Sequence, residues 1–144
     1  MKKYFLSIDQ GTTSTRTVLY DSKFRYLDQE QIEITQFYPK SGYVEHDAEE
    51  IWDKTCKTLH QLLRKYDLKS NQIISIGITN QRETILGWDK CSGKPIGKAI
   101  VWQDRRTNKF CETLKNEGLE PEINEKTGLL LDPYFSASKL RWLK

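Results

Sequence analysis

Apolar residues alternate through the first 35 positions in a way that predicts strands. Tyr4, Leu6 and Ile8 fall on one face of a short run and Phe5 on the other, the pattern of a central strand covered on both sides. Thr15 to Tyr20 is β-branched and aromatic and predicts a second strand. Asp21 and Ser22, which can hydrogen-bond their own backbone, mark the turn that follows. Phe24 to Thr35 predicts a third strand, apolar at Phe24, Tyr26, Ile32 and Ile34, with a polar middle that points to an edge or a bulge. The chain thus opens as a three-strand meander.

The pattern then changes period. Residues 36–47 hold a proline and a glycine and predict a loop. Asp47 is placed as an N-cap, with Glu50 three residues on completing a capping box. Ile51, Trp52, Thr55, Leu59, Leu62, Leu63 and Tyr66 recur at helical spacing, and Arg64 and Lys65 suit the negative end of that helix. Ile73 to Thr79 is almost continuously apolar and predicts a buried strand. Shorter strands are expected at Ile85–Trp88 and Ala99–Trp102, with a turn between them. Helices are expected over Arg106–Asn116, stopped by Gly118, and over Pro121–Lys126, stopped by Gly128. A last amphipathic run from Ser138 to Lys144 stops in mid-pattern, so a longer parent chain is expected. Strand, helix, strand implies a crossover, and the fold class is α/β, a mixed sheet with flanking helices.

Composition narrows the function. A chain of 144 residues is the size of one domain and buries roughly 70% of its unfolded surface. The net charge of +3 comes from 23 basic and 20 acidic residues, interspersed, so neither nucleic acid nor a membrane surface is an expected partner. No apolar run reaches membrane-spanning length, and the N-terminus lacks the features of a signal peptide. Cys56, Cys91 and Cys111 share no CxxC spacing, which favours a reducing, cytoplasmic setting over disulfides or zinc.

The first turn carries the most distinctive chemistry. Gly11, Thr12, Thr13 and Ser14 sit between two predicted strands. Glycine lets backbone N–H groups approach an anion, and short hydroxyls add donors. Arg16 supplies a fixed charge for phosphate oxygens, and Asp9 just before the turn could hold Mg²⁺ directly or through water. No Walker-type GK[ST] follows, and a plain polar hairpin turn would use the same residues.

The segment Asp9–Arg16, Asp-Gln-Gly-Thr-Thr-Ser-Thr-Arg, resembles the first phosphate motif of the FGGY carbohydrate kinases, members of the actin-like ATPase, ribonuclease H-like superfamily. Residues 77–85, 99–107 and 127–143 are similar to the glycerol kinases within that family. The resemblance runs in order along the chain, and the departures, Thr15, Ile85 and Ser138, fall outside the chemistry. It implies an N-terminal portion, residues 1–144, of the first FGGY domain. ATP or ADP with Mg²⁺ and glycerol would be the ligands, and the product glycerol 3-phosphate. The phosphate site would comprise Gly11, Thr12, Thr13, Ser14 and Arg16, with Asp9 for the metal.

A polyol offers no charge, so its pocket needs paired donors and acceptors and an apolar wall. Arg82 gives donors, Glu83 acceptors, Trp102 a flat face and Tyr134 a hydroxyl; the resemblance makes these four the glycerol contacts. Taken singly, each has an ordinary structural role: a solvated ion pair, a core indole, a loop anchor. Asp104 is a weaker candidate one layer out, Asp132 a turn former, and His46 and His60 packing or surface residues. The resemblance places the general base and the adenosine pocket beyond Lys144. The fragment alone is expected to be inactive, with the C-terminal remainder as its partner and a homo-oligomer as the complete protein. Two alternatives stay open: another sugar or polyol kinase of the family, and a non-catalytic actin-like binding module.

Overall fold

A computed structural model of the chain describes residues 2–144. In chain order its elements are β1 (Tyr4–Gln10), β2 (Ser14–Asp21), β3 (Tyr26–Glu33), β4 (Glu45–His46), α1 (Ala48–Lys65), β5 (Ile73–Thr79), β6 (Ala99–Ile100), α2 (Asn108–Asn116), α3 (Glu120–Thr127) and α4 (Ser136–Leu143). They form two compact units, one of Met1–Thr35 with Asp47–Gln81 and the other of Gln36–His46 with Arg82–Lys144.

The first unit is a four-stranded sheet in the order β3-β2-β1-β5, backed by α1. β1, β2 and β3 are antiparallel, as a meander requires, and β5 joins β1 in parallel after the α1 crossover. Leu6, Leu19 and Leu62 are the core, with Tyr4, Leu59, Leu63, Leu68 and Ile73 packed around them. Removing such side chains from water is the main drive to fold, about 1.5–3 kcal/mol for each one fully buried. Threonines extend the α1–sheet contact: the buried pair Thr17 and Thr58 meet at 2.8 Å, and buried Thr15 meets half-buried Thr55 at 3.1 Å. These neutral pairs satisfy hydroxyls that would otherwise be costly to bury.

Several expectations change here. β3 starts at Tyr26, because Phe24 takes a left-handed φ of 57° in the turn closed by Asp21; the predicted edge and register shift are both present. Asp47 does cap α1, accepting from the Glu49 and Glu50 N–H groups. Glu50 instead accepts from Thr35 and pairs with Lys54, so its carboxylate serves the end of the β3 segment. Trp52 is 69% exposed, since its helical angle puts it off the Thr55–Thr58–Leu62 stripe. β5 forms where predicted but is not buried: Ile74, Ile76 and Ile78 are exposed, because α1 packs over β1, β2 and β3 and leaves the faces of the outer strand β5 open.

The second unit has little sheet. β4, inside what the sequence predicts as loop, pairs with β6, Glu45 with Ile100 and His46 with Ala99. The strand expected at Ile85–Trp88 reduces to single bridges, Ile85 to Ile100 and Trp88 to Pro95, and β6 ends at Ile100 instead of Trp102. Ala99, Ile100, Val101 and Cys111 are buried apolar residues of this unit. α2 begins at Asn108 and not Arg106, because the residues before it close tighter turns, with Asn108 N–H donating to the Arg105 carbonyl at 2.9 Å, and the helical bonding starts with Cys111 N–H to the Thr107 carbonyl at 3.1 Å. Gly118 and Gly128 take the left-handed φ values, 78° and 72°, expected past helix ends. Among the described residues, no helix is long and apolar enough to cross a membrane.

Candidate active site

In the first unit, the turn between β1 and β2 is closed by the Gly11 N–H, which donates to the Ser14 carbonyl at 3.0 Å. A Cβ at position 11 would lie 3.0 Å from that same oxygen, so the turn needs glycine. In this conformation the Gly11 amide is engaged inside the turn. The Thr13 carbonyl accepts from Ile34 N–H at 2.9 Å, and the Ser14 hydroxyl accepts from Gln31 at 2.9 Å, so the turn is pinned to β3 as well. Asp9 and Arg16 are cross-strand partners flanking it, with Arg16 Nη2 2.7 Å from Asp9 Oδ2. Both side chains are about 40% exposed, so solvent screens the pair and it contributes little to stability. Arg16 Nε is buried and has no hydrogen-bond partner among the described residues. The result is a rigid, hydroxyl-rich turn beside a guanidinium with a donor to spare. Among the described residues no cluster of three or more His, Cys, Asp or Glu forms. One carboxylate fits a Mg²⁺ carried largely by phosphates rather than an all-protein cage.

In the second unit, residues predicted from distant segments come together. Tyr134 lies edge-on to Trp102, ring centroids 5.9 Å apart and planes at 71°. The Trp102 N–H donates to the Thr84 hydroxyl at 3.2 Å, which ties that strand end to the segment carrying Arg82 and Glu83. Arg82 is exposed, and none of the described residues bonds its side chain. Glu83 has a left-handed φ of 64°, a conformation that costs a non-glycine residue about 1–3 kcal/mol. Its Oε2 accepts from the Ser136 N–H at 2.8 Å and from the Ser136 hydroxyl at 2.7 Å. A carboxylate at that place caps α4 and meets the positive end of its dipole.

Lys139 completes the arrangement. It is fully buried, and its ammonium donates to the backbone carbonyls of Glu83 (3.0 Å) and Tyr134 (2.5 Å). Burial pushes its pKa down, against the pull of Glu83, Asp104 and Asp132. Nothing in the amphipathic spacing of the last helix distinguishes Lys139 from a solvated lysine, and sequence reasoning missed it. The only signal was its position five residues after Tyr134.

Asp104 proves to be architectural. Buried, it accepts from Val44 N–H at 2.7 Å and from Arg106 through Nε and Nη2. Arg106 also reaches Glu45 at 2.7 Å, and its guanidinium lies 4.0 Å and 4.6 Å from the Tyr43 and Trp142 ring centres. Burial pulls the Arg106 pKa down, but the bonds to Asp104 and Glu45 outweigh it and hold the charge. Asp132 forms the expected turn, accepting from Tyr134 N–H and from Arg105, each at 2.8 Å. Burial pushes the Cys111 thiol pKa up, which disfavours a nucleophilic role; His46 is buried.

Compared with known families, residues 4–144 match the FGGY family of carbohydrate kinases, N-terminal domain. The chain belongs to this family. A glycerol kinase of Sinorhizobium fredii is 55% identical over 143 residues, 99% of this chain and 29% of that protein. The chain therefore spans less than a third of the length of that curated relative. Among solved structures, Plasmodium falciparum glycerol kinase with ADP superposes with a TM-score of 0.90 at 34% identity, covering 99% of this chain and 28% of that one. Gluconate kinase from Lactobacillus acidophilus gives 0.91 at 28% identity, with 99% and 28% covered. The fold is thus the α/β, mixed-sheet, actin-like ATPase fold of the FGGY kinases.

Proposed function

We propose that residues 1–144 are the N-terminal portion of the first domain of an ATP-dependent glycerol kinase. The complete cytoplasmic protein would move the ATP γ-phosphoryl to a terminal hydroxyl of glycerol, giving glycerol 3-phosphate and ADP. Phosphoryl transfer depends mainly on positioning and on charge stabilisation, and the chain's residues divide along those lines. Thr12, Thr13 and Ser14 would donate to phosphate oxygens from a turn whose shape Gly11 sets. Arg16, with its uncommitted buried Nε, would neutralise phosphate charge. Asp9 would hold a Mg²⁺ that arrives with the nucleotide, and the ion would offset phosphate charge. Arg82 and Glu83 would donate to and accept from the glycerol hydroxyls, Tyr134 would add a third polar contact, and Trp102 would wall the carbon chain. The general base and the adenosine pocket belong to the C-terminal remainder.

One observation carries the reading. Glu83, Trp102 and Tyr134, up to 51 positions apart, are joined through Thr84, Lys139 and a ring contact, while the neighbouring Arg82 is exposed and none of the described residues bonds its side chain. The likeness to gluconate kinase favours a second reading, a different sugar or sugar acid as acceptor. Steady-state kinetics of the full-length protein with ATP, Mg²⁺ and a panel of glycerol, gluconate and a pentulose separate the two. Glycerol should give the highest kcat/KM. Arg82→Ala should lower it by roughly 10- to 100-fold, the value of a charged hydrogen bond. Preference for gluconate or the pentulose, or an Arg82→Ala enzyme as good as wild type, would sink the glycerol assignment.

A further inference from the structure

We propose that Lys139, acting with Ser136, is the positioning device of the polyol site, clamping Glu83 and Tyr134 into the geometry that receives the substrate hydroxyls. The inference rests on the glycerol reading above and goes beyond it by naming residues that touch no ligand.

A buried ammonium ordinarily seeks a carboxylate, where charge meets charge. Among the described residues Lys139 makes no such pair: its acceptors there are main-chain carbonyls, those of Glu83 and Tyr134. One point charge therefore gathers two residues 51 positions apart, both assigned to the same ligand. The Glu83 backbone needs holding, because its φ of 64° is one that a glutamate leaves readily when unsupported. The Glu83 side chain is held separately. Ser136 engages Oε2 twice, through its N–H and its hydroxyl, and so fixes the direction of the carboxylate. Backbone and carboxylate are thus locked by two residues in the first four positions of α4, a helix whose own N-terminus the same carboxylate caps. Tolerances near 1 Å decide whether a hydroxyl is aligned for transfer, so loosening these contacts should weaken substrate binding before it affects anything else.

The test uses the full-length enzyme, with KM for glycerol, KM for ATP, kcat and melting temperature measured for each variant. Lys139→Met keeps the volume and removes the charge; it should raise the glycerol KM at least 10-fold and leave the ATP KM within 2-fold. Ser136→Ala should raise the glycerol KM about 3- to 10-fold, and Ser136→Thr, which keeps the hydroxyl, should restore it. A glycerol KM within 2-fold of wild type in Ser136→Ala overturns the proposal. So does a Lys139→Met enzyme that loses melting temperature and kcat with its glycerol KM unchanged. If Lys139→Met does not fold, the Ser136 pair decides by the same criterion. Glu83→Gln distinguishes the two levels of the argument. An unaltered glycerol KM there removes the site reading and this proposal with it. A raised KM there, with no effect at Lys139 or Ser136, removes this proposal alone.

Discussion

The two units solve the burial of polar groups in opposite ways. In the first, charged side chains serve the backbone only near the ends of elements, as where Asp47 caps α1 and Glu50 receives the Thr35 N–H; elsewhere strands and one helix satisfy their own backbones, and the buried polar groups between them are neutral threonine pairs such as Thr17–Thr58. In the second, strands are two residues long, and charged side chains do the backbone's work: Asp104 receives Val44 N–H, Glu83 caps α4, and Lys139 holds two carbonyls. Regular structure gives rigidity that is spread over many weak contacts. Charge-assisted clamps concentrate it in a few, which suits a site where particular atoms must be aimed.

Breaking a clamp should therefore hurt most. Asp104→Ala strands the Arg106 guanidinium with only Glu45, and a loss of about 3–5 kcal/mol is expected for a buried ion pair broken from one side. Hydrogen exchange read separately over 99–144 and 4–79 should show the weakening chiefly in the former. A loss below about 1 kcal/mol would mean that the second unit does not depend on its charges.

The neutral pair should be more forgiving. Thr58 donates its own hydroxyl proton to the Thr55 carbonyl, so Thr17 is the donor between the two threonines. Thr58→Val leaves the Thr17 hydroxyl buried without an acceptor, at about 1–3 kcal/mol. Adding Thr17→Val should recover part of that loss. Chemical denaturation of both variants and the double mutant tests it; strictly additive losses would contradict the pairing.

The smallest effect belongs to the rim of the first unit. Lys54 holds the Glu50 carboxyl below its ordinary range, burial opposes this, and Thr35 assists. A depressed carboxylate contributes fully above its unfolded pKa and loses that contribution as pH falls through the folded value. Glu50→Gln should therefore cost less than about 1 kcal/mol near neutrality, with the two curves converging as pH drops below about 4. A gap that widens on acidification would reverse the assigned sign.

This contrast also explains what could be read before the structure was known. The meander, α1 and β5 are written in periods of two and 3.6, and each appeared within a few residues of its expected place. What failed there was solvent exposure: apolar runs at β5 and Trp52 say nothing about which neighbours cover them. In the second unit the periodicity was too short to register β4 or to limit β6 to Ala99–Ile100. As candidates, Arg82, Glu83, Trp102 and Tyr134 were legible through family motifs. Their supports were not, since a contact such as Lys139 to Glu83 joins positions 56 apart and leaves no local trace.

β5 has a practical side as well. From Ile73 to Thr79 it contains neither a charge nor a proline, and isoleucine recurs at every second position along its length. Such a strand at the rim of a sheet is a template on which a further strand can be laid. Held in isolation at high concentration, the 144-residue polypeptide should be governed less by the chemistry of either proposed ligand site than by like edges finding one another.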